Sequence, residues 1–182
     1  MMTKQIKLTG NPGAFTAADF TATKFASAEE KARIANKLTR FILGGFKQAS
    51  FSQAMYTRLS NMFGHIAHYN LNGFYETWFS GPEERFKWAE YVLAGGAYGC
   101  VGSPAHTWSD VEKALMAWMR DNHIAEQLEA IYRAVVEARE LALLRSLQAK
   151  YPQEANEATA IPVQIDSAGK PTGALNRQLL LF

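Results

Sequence analysis

The sequence predicts an all-α fold: a bundle of five to six helices, one of them long and C-terminal, followed by a partly extended C-terminal arm. Three observations carry that prediction. Apolar residues recur at three- and four-residue spacing through most of residues 25–150, the period of one helix face. Serine-led caps open these stretches, and glycine or proline closes them. Strand-like alternation is confined to Gln5-Ile6-Lys7-Leu8 and Ile161-Pro162-Val163-Gln164-Ile165, and Pro162 restricts the second to a sheet edge. Three regions follow: a weakly ordered N-terminal segment (1–24), a helical domain (25–151) and a C-terminal arm (152–182).

In the first region, Thr9-Gly10-Asn11-Pro12-Gly13 breaks the short alternating run with turn formers, and Thr16 to Asp19 suits one capped helical turn. The first full helix opens at Ser27-Ala28-Glu29-Glu30, a capping box, and carries the stripe Ile34, Leu38, Phe41, Ile42. Gly44-Gly45 is expected to stop it through a left-handed exit. A second box, Ser50-Phe51-Ser52-Gln53, opens a helix with the stripe Phe51, Met55, Leu59, Met62, Ile66, Tyr69. Gly64 interrupts that stripe, and Asn70-Leu71-Asn72-Gly73 is expected to end the helix. Phe74 to Phe79 reads as a short aromatic helix stopped by Ser80-Gly81-Pro82. Pro82 then starts another, with Glu83-Glu84 in its first turn, where the dipole favours acids. Residues 95–107 read as a glycine-rich loop around Cys100. Ser109-Asp110-Val111-Glu112 is a third capping box, before the face Val111, Ala114, Leu115, Trp118, Met119. From Ile124 to Lys150 runs the long helix, with Leu128, Ile131, Val135, Ala138 and Ala142 at near-heptad spacing. Leu141, Leu143, Leu144 and Leu147 widen its apolar surface, and it is expected to fold back on its own bundle. Pro152 ends the helical body. The terminal Leu179-Leu180-Leu181-Phe182 is expected to dock on the body or on a partner chain, the latter giving a homo-oligomer through the arm.

Composition narrows the function classes. The chain has 182 residues, 48% hydrophobic and 20% charged, which is enough to bury roughly 70% of its unfolded surface without staples. A net charge of +2 excludes a polyanionic DNA mimic and a strongly basic nucleic-acid coat. One cysteine excludes an internal disulfide framework and a Cys-based zinc site. No apolar run is long enough to span a bilayer, and Met1-Met2-Thr3-Lys4-Gln5-Ile6 has no signal-peptide core. The expected location is the cytoplasm, with no membrane contact.

Charge and aromatic residues are unevenly spread. Residues 1–80 carry nine Lys/Arg against four Asp/Glu. Arg33, Lys37 and Arg40 fall at i, i+4, i+7 on one helix, and Lys47 and Arg58 follow; this is the candidate nucleic-acid surface, and its alternative reading is a solvated helix face. Aromatics cluster between Tyr69 and Tyr98. Within that cluster Tyr69, Phe74, Tyr75, Trp78 and Phe79 are the candidate partner-binding residues, because large rings supply contact area in cores and interfaces alike. A short helix cannot bury every face, so Phe74 and Trp78 are assigned to the core and Tyr75 and Phe79 to an outer row.

Catalytic constellations are sparse. His65-Ile66-Ala67-His68 places two imidazoles on one side of a helix, where with Glu76 or His106 they would make a zinc site. The alternative is an interfacial or exposed pair. Cys100 and His106 would need hydrogen-bond reach to form a dyad, and a small buried thiol in a turn is the plainer reading. There is no Gly-x-x-x-x-Gly-Lys-Ser/Thr, Gly-x-Ser-x-Gly or His-Glu-x-x-His, and no cofactor is expected.

Three segments, Met62-Phe63-Gly64-His65-Ile66-Ala67-His68-Tyr69-Asn70, Gly73-Phe74-Tyr75-Glu76-Thr77-Trp78-Phe79 and Ser109-Asp110-Val111-Glu112-Lys113-Ala114-Leu115 with Trp118, together resemble a family of uncharacterised bacterial proteins encoded on plasmids, prophages and other accessory regions. The resemblance spans residues 25–120 and transfers no catalytic residue. It implies a protein that modulates or inhibits a host or defence complex, with anti-CRISPR-like counter-defence as the concrete form. The leading expectation is therefore a non-enzymatic protein-binding protein. Nucleic-acid binding through the basic face and a metal-dependent enzyme on His65 and His68 are the alternatives.

Overall fold

The computed structural model describes residues 7–62, 70–95 and 102–152. Among them are six α-helices and no strand: α1 (Ala28–Leu43), α2 (Gln53–Met62), α3 (Leu71–Phe79), α4 (Pro82–Leu93), α5 (Ser109–Asp121) and α6 (Ile124–Lys150). The all-α bundle with a long last helix is the observed fold. The expected C-terminal arm, the terminal Leu-Leu-Leu-Phe, Gln5, Ile6 and Cys100 lie outside the described residues. The chain divides into two compact units, Met1–Val136 and Glu137–Phe182.

The first unit is built around α1. Ser27 caps it, with Oγ accepting from the Glu30 amide at 3.2 Å. Only the serine half of the expected box operates, because the Glu30 carboxylate takes Arg58 at 2.7 Å. The exit is a full Schellman turn. Gly45 sits at φ 79°, its amide donates to Ile42 O, and the Phe46 amide donates to Phe41 O at 3.0 Å. The hydrophobic contact that accompanies such turns is present, the Phe41 and Phe46 rings meeting edge to face at 5.3 Å. Phe46 itself has φ 57°, an uncommon value for a bulky residue, which its complete burial holds in place.

Three boundaries depart from the sequence reading. The cap of α2 is Ser52, not Ser50, which lies in a short 3₁₀ turn (Gln48–Ser50). Asn70, read as part of a helix stop, opens α3, its Oδ1 accepting from the Gly73 amide at 2.8 Å. Short polar side chains serve both ends of helices, so the same residue reads either way without its φ and ψ. The third capping box is not formed as written. Trp108 occupies the cap position, and Ser109 lies inside α5 with Oγ donating to Gly102 O.

α1 packs on α2 and α5, α3 on α2 and α4, and α4 on α5. The shared core is aromatic at its centre: Phe41, Phe46, Phe51, Phe74, Phe79 and Trp88 form a continuous ring cluster with centroids 5.1–5.7 Å apart. Ile124 and Leu128 anchor the start of α6 in the same unit. Residues 7–26, weakly patterned in sequence, are tied down by specific hydrogen bonds. Trp118 Nε1 donates to Asn11 O, Gly13 N donates to Thr39 Oγ1, and Asn36 pairs with both backbone groups of Phe15.

In the second unit the described residues continue α6 to Lys150. Every residue from Glu137 to Pro152 is exposed.

Candidate functional site

The aromatic segment is core, which corrects the expected outer row. Phe74 and Phe79 have no exposed surface, and Tyr75 retains only 8%. The Tyr75 hydroxyl, expected to serve a wet interface, donates instead to the Phe46 carbonyl at 2.7 Å. That bond satisfies a carbonyl left over by the α1 exit, so the phenol has a structural task. Trp78 is half-buried and packs on Tyr91 at 5.5 Å. Phe74 is core as expected, but the expected outer row is buried with it because elements lie on both sides of α3, with Phe51 from the loop before α2 meeting Phe74 and Tyr75 and with Trp88 of α4 meeting Phe79. Tyr69, His65 and His68 lie outside the described residues, so the partner role of the first and the metal pair are not placed. His106 is exposed, and among the described residues no group of three His, Cys, Asp or Glu side chains could hold a metal ion.

The five basic residues separate. Arg58 is occupied: its guanidinium pairs with Glu30 and lies 4.7 Å from the Trp108 ring centre. Arg33 is exposed on α1. Lys37, Arg40 and Lys47 come together around an open cavity of ≈ 150 Å³, which is also lined by Phe41, Ser50 and Met55. The Lys37 ammonium donates to Ser52 Oγ at 3.2 Å.

A sixth basic residue was missed. Lys31 is fully buried, and its ammonium donates to Pro104 O, Thr107 O and the Asp110 carboxylate at 2.9–3.0 Å. Asp110 also accepts from the Thr21 amide. All three ammonium protons are used, so this is a latch joining α1, the loop before α5 and the N-terminal segment. The signal was present in the periodicity, since Lys31 stands at i−3 and i−4 from Ile34 and Ala35 on the apolar stripe.

The second exposed feature lies on α6. Leu141, Leu143, Leu144 and Leu147 are 44%, 59%, 50% and 46% exposed, and Tyr151 is 45% exposed. At 3.6 residues per turn the four leucines cover about 160° of the helix. Ala138, Ala142, Arg145, Ser146 and Ala149 occupy the other side. No helix among the described residues is long and apolar enough to cross a membrane.

No family model, curated protein or solved structure matches the chain.

Proposed function

We propose that this chain is a non-enzymatic protein-binding protein whose binding element is the leucine face of α6. The observation that supports this reading is the cluster of Leu141, Leu143, Leu144 and Leu147, all about half-exposed within two helical turns. Single exposed leucines are ordinary on protein surfaces, but four contiguous ones mark an interaction patch. Magnitudes set how it works. Burying the exposed half of four leucines stabilises by about 3–6 kcal/mol. A partner with a matching face doubles that to about 6–12 kcal/mol, the same order as the cost of association. The face therefore gives reversible binding, strengthened where flanking charges match.

Flanking groups suit an antiparallel helical partner. Glu137 and Glu140 precede the leucines and Lys150 follows them, so an antiparallel helix with the same order sets acids against a base. Modulation of a host or defence complex is the concrete form that the sequence resemblance suggests for such binding.

The test is the pair Leu141→Glu with Leu144→Glu. Both positions are exposed, so the double variant should melt with the wild type in circular dichroism. Crosslinking and light scattering of the two proteins, alone and in bacterial lysate, should show an assembly present for the wild type and lost for the variant. Identical assemblies, or none with either protein, would sink the reading.

A further inference from the structure

We propose that the cavity at the C-terminal end of α1 is an anion site that takes the phosphate group of a small phosphorylated ligand. Three cations, Lys37, Arg40 and Lys47, line one cavity of ≈ 150 Å³, with the hydroxyl of Ser50 beside them and the buried Phe41 and Met55 as its apolar lining. Among the described residues no carboxylate pairs with any of the three, whereas Arg58, on the neighbouring helix, is matched by Glu30.

The helix dipole accounts for only part of this arrangement. A cation in the last turn of a helix complements its carbonyl end, which explains Arg40. Lys47 lies beyond the helix, and the Schellman exit brings it back. Gly45 and Phe46 both adopt positive φ, and the ring of Phe46 is locked between Phe41, Phe79 and Trp88. The core thus fixes the bend that sets Lys47 at the same cavity as Arg40. Lys37 uses one of its three donors on Ser52 and keeps the other two. Three like charges around one cavity repel each other, and a bound dianion relieves that repulsion while accepting charge-assisted hydrogen bonds.

A compact ligand fits better than a nucleic-acid strand. Strand affinity grows with the number of phosphates neutralised along a track. Here the track is short: Arg58 is taken by Glu30, and Arg33 does not line the cavity. Charge is focused on one spot, as a terminal phosphate or diphosphate requires. This inference is independent of the α6 reading.

Calorimetric titration of the full chain with inorganic pyrophosphate, at constant ionic strength and without divalent ions, tests it. Saturable binding is expected. Arg40→Gln and Lys47→Gln should each weaken it about tenfold, the loss of one charge-assisted contact. Arg33→Gln should leave it unchanged. Both cavity residues are exposed, so the variants should keep the wild-type melting curve; if one does not, the other serves alone. Absence of saturable heat, or equal weakening by Arg33→Gln, overturns the proposal. A 20-nucleotide thymidine strand that binds with strong salt dependence while pyrophosphate does not would also overturn it, and would assign the face to nucleic acid.

Discussion

Phe74–Phe79 in α3 and Leu141–Leu147 in α6 are apolar helical stretches of similar length with opposite fates. The first carries four aromatic rings in six residues, of which three are buried and one half-buried. The second carries four leucines, all about half-exposed. Apolar content does not separate them; neighbours do. Rings on both sides of α3 contact Phe51 or Trp88, and the Tyr75 hydroxyl has a backbone acceptor waiting at Phe46. Hydrophobicity makes burial favourable, but only geometry supplies something to be buried against.

The comparison can be broken most sharply at Phe79. Phe79→Ala should cost about 3–5 kcal/mol, because the ring contacts Phe41, Phe46 and Trp88 and leaves a cavity when removed. A urea midpoint within error of the wild type would mean that α3 is not core. Lys31→Ala should come next, at about 3 kcal/mol, since it leaves Asp110 and two carbonyls without their ammonium. Its unfolding transition should be accompanied by faster amide exchange at Thr21, whose donor group rests on Asp110. Retained protection there would dissociate the latch from the N-terminal segment.

Tyr75→Phe sharpens the comparison by isolating the hydroxyl. It should cost about 1 kcal/mol while keeping the ring packed, the price of one buried carbonyl left without a donor. By contrast, Leu144→Ala should change stability by less than about 0.5 kcal/mol, the usual range for a surface site. A loss above 2 kcal/mol would show that the α6 face is already covered. The smallest effect is expected at Glu29. Its own amide, and then the Ser27 hydroxyl, hold its carboxyl below the ordinary value. A depressed folded pKa adds stability above the unfolded value and loses it as pH falls through the folded one. Glu29→Gln should therefore flatten the stability profile slightly in the acid range, and an unchanged profile would show that the contact contributes nothing.

Local features were legible from the residues alone. The Ser27 cap, the glycine stop at Gly45, Pro82 at the start of α4 and both ends of α6 follow from short-range sterics and hydrogen bonding, so a few neighbouring residues suffice. The same logic placed Arg33, Lys37 and Arg40 on one helix face. It also misplaced helix ends: Ser50 lies in a 3₁₀ turn, Ser109 lies inside α5, and Asn70 opens a helix where the pattern read a stop.

What the sequence by itself determined is the set of helices and which residues share a face on each. What only the tertiary structure decided is which face meets which. Lys31 finds Asp110 across 79 residues of chain, Lys47 joins Arg40 around one cavity only through the bend at Phe46, and Tyr75 turns inward because Phe46 presents a carbonyl there. These outcomes depend on pairings between distant segments, and period and capping within one segment carry no information about its partner. Burial is a property of the pair, so the leucines of α6 and the rings of α3 could not be told apart until their surroundings were known.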